Sequence, residues 1–77
     1  MEVYVLQIRF SGEEDEVFLF RQLQDARAKV YDYFGEVCYD CVGEFPVTPT
    51  SQHLDELEER LFTADKGYFS IYTTTIQ

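Results

Sequence analysis

VYVLQIRFSGEEDEVFLF, residues 3 to 20, alternates apolar and mixed positions, breaks at a turn, and resumes as a short apolar run. A period of two over residues 3 to 10 predicts a β-strand. Tyr4, Leu6, Ile8 and Phe10 then point one way, and Val3, Val5, Gln7 and Arg9 the other. The second set turns polar toward its end, so the first is the expected core face. Ser11-Gly12 starts a turn, and Val17 to Phe20 predicts a short returning strand. The result is a hairpin whose tip carries Glu13, Glu14, Asp15 and Glu16.

Beyond the hairpin the period changes from two to between three and four. Leu23, Ala26, Val30, Phe34, Val37 and Cys41 predict a helix continuing to about Val42, with Gly43 as its stop. Asp25 falls in its first turn and has Lys29 four residues on. EFPVTPT, residues 44 to 50, is a proline-bearing connector. Thr48 before Pro49, or Ser51, is the expected start of a second helix. Leu54, Leu57 and Leu61 form the buried stripe of that helix, with Phe62 beside it. Asp65-Lys66-Gly67 predicts a turn, and GYFSIYTTTIQ a last strand rich in β-branched and aromatic residues.

The expected architecture is α+β, a single domain over residues 1 to 77 in the order β-β-α-α-β. Three antiparallel strands form a sheet with both helices on one face, and the first and last strands pair at its centre. A chain of 77 residues is near the lower limit for burying enough surface to fold alone. Its apolar content of 45% and aromatic content of 17% nevertheless set it apart from disordered acidic tails.

Fifteen acids against six bases give a net charge of -9. Such a field repels nucleic acid and anionic membrane and attracts basic surfaces at long range. No stretch approaches the ~20 apolar residues of a membrane-spanning helix. MEVYVLQIRF, with an acid at position 2, does not read as a signal peptide. Two cysteines without an export signal point to a cytoplasmic setting.

Catalytic and metal chemistry find little support. Cys38-Tyr39-Asp40-Cys41 is a CxxC, half of a zinc site or a dithiol pair. A structural zinc site needs further ligands, and His53 is the only histidine. In glutaredoxins the CxxC opens a helix directly after the first strand, whereas here it lies in mid-chain. Cys38 and Cys41 are thus weak metal candidates and read first as packing residues; no cofactor is expected. His53 reads as an exposed polar residue. The four glycines form no phosphate-cradling loop, and nothing orders a nucleophile, base and acid, so no enzyme is expected.

The acids are more informative. On the extended first helix Asp32, Glu36 and Asp40 recur every four residues, a row spaced ~6 Å along the axis. On the second, Asp55 and Glu59 repeat this spacing, while Glu56 has Arg60 as its partner four residues on. With the hairpin tip these make acidic clusters on three elements, in a chain with two lysines. Tyrosines exceed what so small a core can hold, and Tyr31 and Tyr39 are the expected surface anchors.

In size, acidity and element order the chain resembles the small single-domain proteins that phages and mobile elements encode to inhibit host machinery. Anti-CRISPR proteins and other DNA-mimicking inhibitors belong to that group. It shares no residue signature, so no positions carry over. The resemblance implies a non-enzymatic inhibitor that meets the basic nucleic-acid-binding surface of a host protein, such as a CRISPR effector, in the host cytoplasm. The partner-binding residues would be Glu13, Glu14, Asp15, Glu16, Asp32, Glu36, Asp40, Asp55, Glu56 and Glu59, with Tyr31 and Tyr39 as anchors. The alternatives are a small interaction module, for instance a homodimer joined through strand and tyrosine surface, and a CxxC metal or redox protein.

Overall fold

A computed structural model describes residues 1–35, 42–43 and 46–76. Its elements are β1 (Glu2–Phe10), β2 (Glu16–Phe20), α1 (Leu23–Gly35), α2 (Ser51–Ala64) and β3 (Gly67–Thr75). They build one antiparallel sheet in the order β2-β1-β3, which is the α+β architecture the periodicities predict. β1 and β3 do pair, from Phe10↔Gly67 to Glu2↔Thr75. Only β1 is central, however, because β2 takes its other side and leaves β3 on an edge.

Both faces of β1 carry buried side chains. Leu6 and Ile8 enter the core against the helices with Val30, Tyr31, Phe34, Val42, Leu54, Leu57, Leu61 and Phe69. Val3 and Val5, on the opposite face, are also nearly inaccessible. Among the described residues they stand outside the core cluster beneath the helices. Val5 lies between Leu19 of β2 and Tyr72 of β3, and Val3 beside Thr74 of β3. A central strand gains such cover from both sides, and sequence alternation does not reveal it.

α1 packs over β1 and β2, and α2 over β3. Six of the seven largest fully buried side chains are Phe34, Leu6, Ile8, Leu57, Leu61 and Val30. Each contributes about 1.5–3 kcal/mol of transfer free energy, which the ordering of the chain largely offsets. Phe10 stacks on Tyr33 at 4.5 Å between centroids and meets Phe34 edge-on at 5.4 Å, tying the end of β1 to the end of α1. The expected continuation of α1 passes through residues 36–41, outside the described set. Val42 beyond them is buried, and Gly43 has the left-handed φ of 66° that a helix stop calls for.

α2 begins at Ser51, one of the two expected starts, and its cap is the residue before it. Thr50 is the N-cap: its Oγ1 accepts from the His53 backbone N–H at 3.3 Å, and its own N–H donates to His53 Nδ1 at 3.0 Å. A histidine thus takes the place that Glu or Gln holds in the usual capping box, and such a cap is worth about 1 kcal/mol. His53, read from sequence as an exposed polar residue, is half-buried and structural. At the other end Asp65 takes a left-handed conformation, φ 53°, and Lys66 N–H donates to the Leu61 carbonyl at 3.0 Å. Those bonds turn the chain directly into β3.

Candidate functional site

The acids divide between the two sides of the sheet. Glu13, Glu14, Asp15 and Glu16 are exposed at the tip, yet Asp15 is already engaged there. Its Oδ2 accepts from Gln7 Nε2 at 2.6 Å and from the Tyr68 hydroxyl at 2.9 Å, and Arg9 Nε lies 3.6 Å from Oδ1. The Arg9 guanidinium sits 4.6 Å above the Tyr68 ring. This network lies on the open face of the sheet, because Gln7 and Arg9 share a face with Val3 and Val5 and Arg9 pairs with Tyr68. The bonds from Gln7 and Tyr68, with Arg9 nearby, hold the Asp15 carboxyl below its usual range. The same bond pushes the Tyr68 hydroxyl up.

Glu16 and Glu13 act on the helix side. Burial, with the Glu16 carboxylate beside its hydroxyl and Glu13 nearby, pushes Tyr33 up to about 12. The tip therefore straddles the sheet: Asp15 is pinned to the open face, while Glu16 and Glu13 border the end of α1. Gln7 and Arg9 meet Asp15 within the hairpin itself, whereas Tyr68 is brought to the tip by the pairing of β3 with β1, whose register the sequence does not disclose.

On α1, Asp32 is exposed. Lys29 turns away from Asp25 and lies 4.8 Å over the Phe18 ring of β2. On α2, Asp55, Glu56, Glu58 and Glu59 are all exposed. Glu56 and Arg60 do not form the expected ion pair. Among the described residues Arg9–Asp15 is the only one within bonding distance. The carboxylates of the helix layer thus keep their charge uncompensated.

Tyr31 lies in the core and not on the surface. Expected as a surface anchor, it is buried in the core at 6% exposure, and its hydroxyl donates to the His53 carbonyl at 3.1 Å. Its helix position follows Val30 on the side that α2 covers, which no single-helix periodicity discloses. Burial raises its hydroxyl above the ordinary tyrosine range, with Glu56 adding to this and Arg60 opposing it. Tyr39, Glu36, Asp40, Cys38 and Cys41 lie outside the described residues. Among those described, no group of three or more His, Cys, Asp or Glu residues is placed to hold a metal ion, and no helix is long and apolar enough to cross a membrane.

Two apolar surfaces were missed. Phe62 is 83% exposed rather than packed beside the Leu stripe. At 100° per residue it stands on a flank of α2 with Asp55 and Glu58, away from the buried line of Leu54, Leu57 and Leu61. A shallow groove runs from that flank to β3, lined by Asp55, Glu58, Glu59, Phe62, Gly67 and Tyr68. The open sheet face exposes Val17, Leu19 and Tyr72. Against protein-family models, curated proteins and solved structures, the chain gave no match.

Proposed function

We propose that this protein is a non-enzymatic inhibitor that covers the basic nucleic-acid-binding surface of a host defence protein, in the manner of anti-CRISPR proteins. The observation that carries the reading is the lack of compensation: at net charge -9, the described acids are exposed and only Asp15 is ion-paired among them. Glu13, Glu14 and Glu16 at the tip, Asp32 on α1, and Asp55, Glu56 and Glu59 on α2 supply the carboxylates. They stand where a basic groove would otherwise meet phosphates. Phe62 takes the anchoring role that buried Tyr31 cannot.

The test is capture on immobilised protein from a bacterial lysate at about 0.05 M and about 0.5 M salt, between which screening shortens the reach of charge to a few ångströms. Nucleic-acid-handling proteins should be held at the lower concentration and released at the higher. A variant with Glu13, Glu14, Asp55 and Glu59 changed to Lys should hold none of them. Retention of the same proteins by that variant would refute the reading.

A second reading, an interaction module whose acidity is incidental, draws support from the exposed Val17, Leu19 and Tyr72 on the sheet. Sedimentation at micromolar concentration separates the two. A dimer that Leu19→Ser and Tyr72→Ser dissociate would favour the module.

A further inference from the structure

The sheet has one short edge and one long one. β2 presents five residues and β3 nine. Proteins ordinarily blunt a long edge with charge, proline or a bulge, because its unpaired backbone groups are a template for another strand. β3 has none of these devices. GYFSIYTTT contains no charged residue and no proline, in a chain where acids are spread over every other strand and helix. Its pairing with β1 runs without a break over the whole strand. Among the described residues no strand pairs with its outer edge.

The orientation of α2 adds chemistry to that edge. The Tyr31 hydroxyl bonds the His53 carbonyl, and Glu56 and Arg60 both act on that hydroxyl. The flank of α2 carrying 53, 56 and 60 therefore faces α1. Asp55, Glu58 and Phe62 lie on the other flank. Since α1 covers β1 and β2, this second flank overlooks the outer side of β3, as the groove it forms with Gly67 and Tyr68 shows.

A second copy of the chain is a poor occupant. Two β3 strands pairing about a two-fold axis would bring both sets of Asp55 and Glu58 to one seam, like charge against like. A strand bearing Lys or Arg at every second position is complementary instead. One row of its side chains meets the carboxylates of α2, and the other lies beside Tyr72 on the open face. We infer that the outer edge of β3 accepts an extended segment of a partner protein as a fourth strand, with basic side chains turned toward Asp55 and Glu58 and an apolar contact at Phe62. The inference rests on the reading of this protein as a binder of basic partners, and it adds the place and the mode of attachment.

The probe is a synthetic peptide of about ten residues alternating Lys and Val, with a control N-methylated at alternate residues so that it cannot pair as a strand. Amide hydrogen exchange of the labelled protein should slow about tenfold or more at alternate positions of β3 with the first peptide and not with the second. Asp55→Lys with Glu58→Lys should weaken binding by about tenfold, whereas Asp25→Lys, at an exposed position in the first turn of α1, leaves it within about twofold. Equal protection by both peptides, or none at β3, overturns the inference. So does a stable dimer whose β3 amides are already protected. Failure of the two readings is distinguishable. Peptide pairing at β3 with lysate capture indifferent to charge would sink the inhibitor proposal alone, and charge-dependent capture with an unprotected β3 would sink the strand alone.

Discussion

Gly67 is the position where the fold leaves least freedom, and Gly67→Ala tests how the sheet and helices are joined. Its φ is 150°, a conformation that side-chain-bearing residues rarely adopt. An added Cβ would overlap the Arg9 carbonyl oxygen and stand 3.0 Å from Phe34 Cε1 and 3.1 Å from Phe10 Cα. None of these neighbours yields easily. Arg9 and Phe10 are backbone of the central strand, held in register with β3, and Phe34 is fully buried. Backbone strain costs about 1–3 kcal/mol, and forcing a methyl into packed surroundings about 1–3 kcal/mol more. A domain of this size has roughly 4–12 kcal/mol to lose. The expected loss of about 2–6 kcal/mol lowers the melting temperature by ~10 °C or more. Gly12→Ala is the control, because Gly12 has φ 86° but nothing within 4 Å of an added Cβ. It should cost only the conformational part, about 1–2 kcal/mol. Urea unfolding followed by circular dichroism measures both. If Gly67→Ala costs no more than Gly12→Ala, the close approach of β3 to β1 and Phe34 is not as described.

Three further outcomes are expected. Leu61→Ala should cost about 2–5 kcal/mol because Leu61 is fully buried, while Phe62→Ala next to it should change stability by less than about 0.5 kcal/mol; denaturation midpoints of the pair show which side of α2 faces the core. Tyr33 should ionise at about 12 rather than 10.0. Its neutral form favours folding fully below 10.0, and that contribution is lost as the pH rises from there through about 12, which ultraviolet titration alongside unfolding will follow. The Asp15 carboxyl should titrate below 3.8 by carbon-detected NMR; Tyr68→Phe should move the midpoint back upward. The folded state binds that proton less readily than the unfolded, so the contribution of Asp15 is present above 3.8 and fades as the pH falls through its lowered value.

Much of the architecture was legible because each element has its own period. Alternation marked β1, the leucine stripe marked α2, and Ser11-Gly12 and Asp65-Lys66-Gly67 marked the turns. The errors have identifiable causes. Thr50 was passed over as a cap because its partner is His53, a residue not ordinarily read as the far half of a capping box. The sequence points Tyr31 to the surface because one helix wheel does not say which flank a second helix will cover. Phe62 reads as core edge because it adjoins Leu61 in sequence, although neighbours in a helix lie 100° apart.

Charge followed the same division. The excess of acids and the uncharged stretch from Gly67 onward are properties of the sequence alone, as are the alternation of the hairpin and the order of the elements. Which acids remain free is a property of the fold. Asp15 meets Gln7 and Arg9 within the hairpin, but Tyr68 reaches it only because β1 pairs with β3. Asp55 and Glu58 lie on the β3 side of α2, since the flank that carries His53 meets Tyr31 of α1. Local periodicity records how each segment meets its nearest neighbours along the chain. The Tyr68–Asp15 and Tyr31–His53 bonds join residues far apart in sequence, and tertiary packing alone selects them.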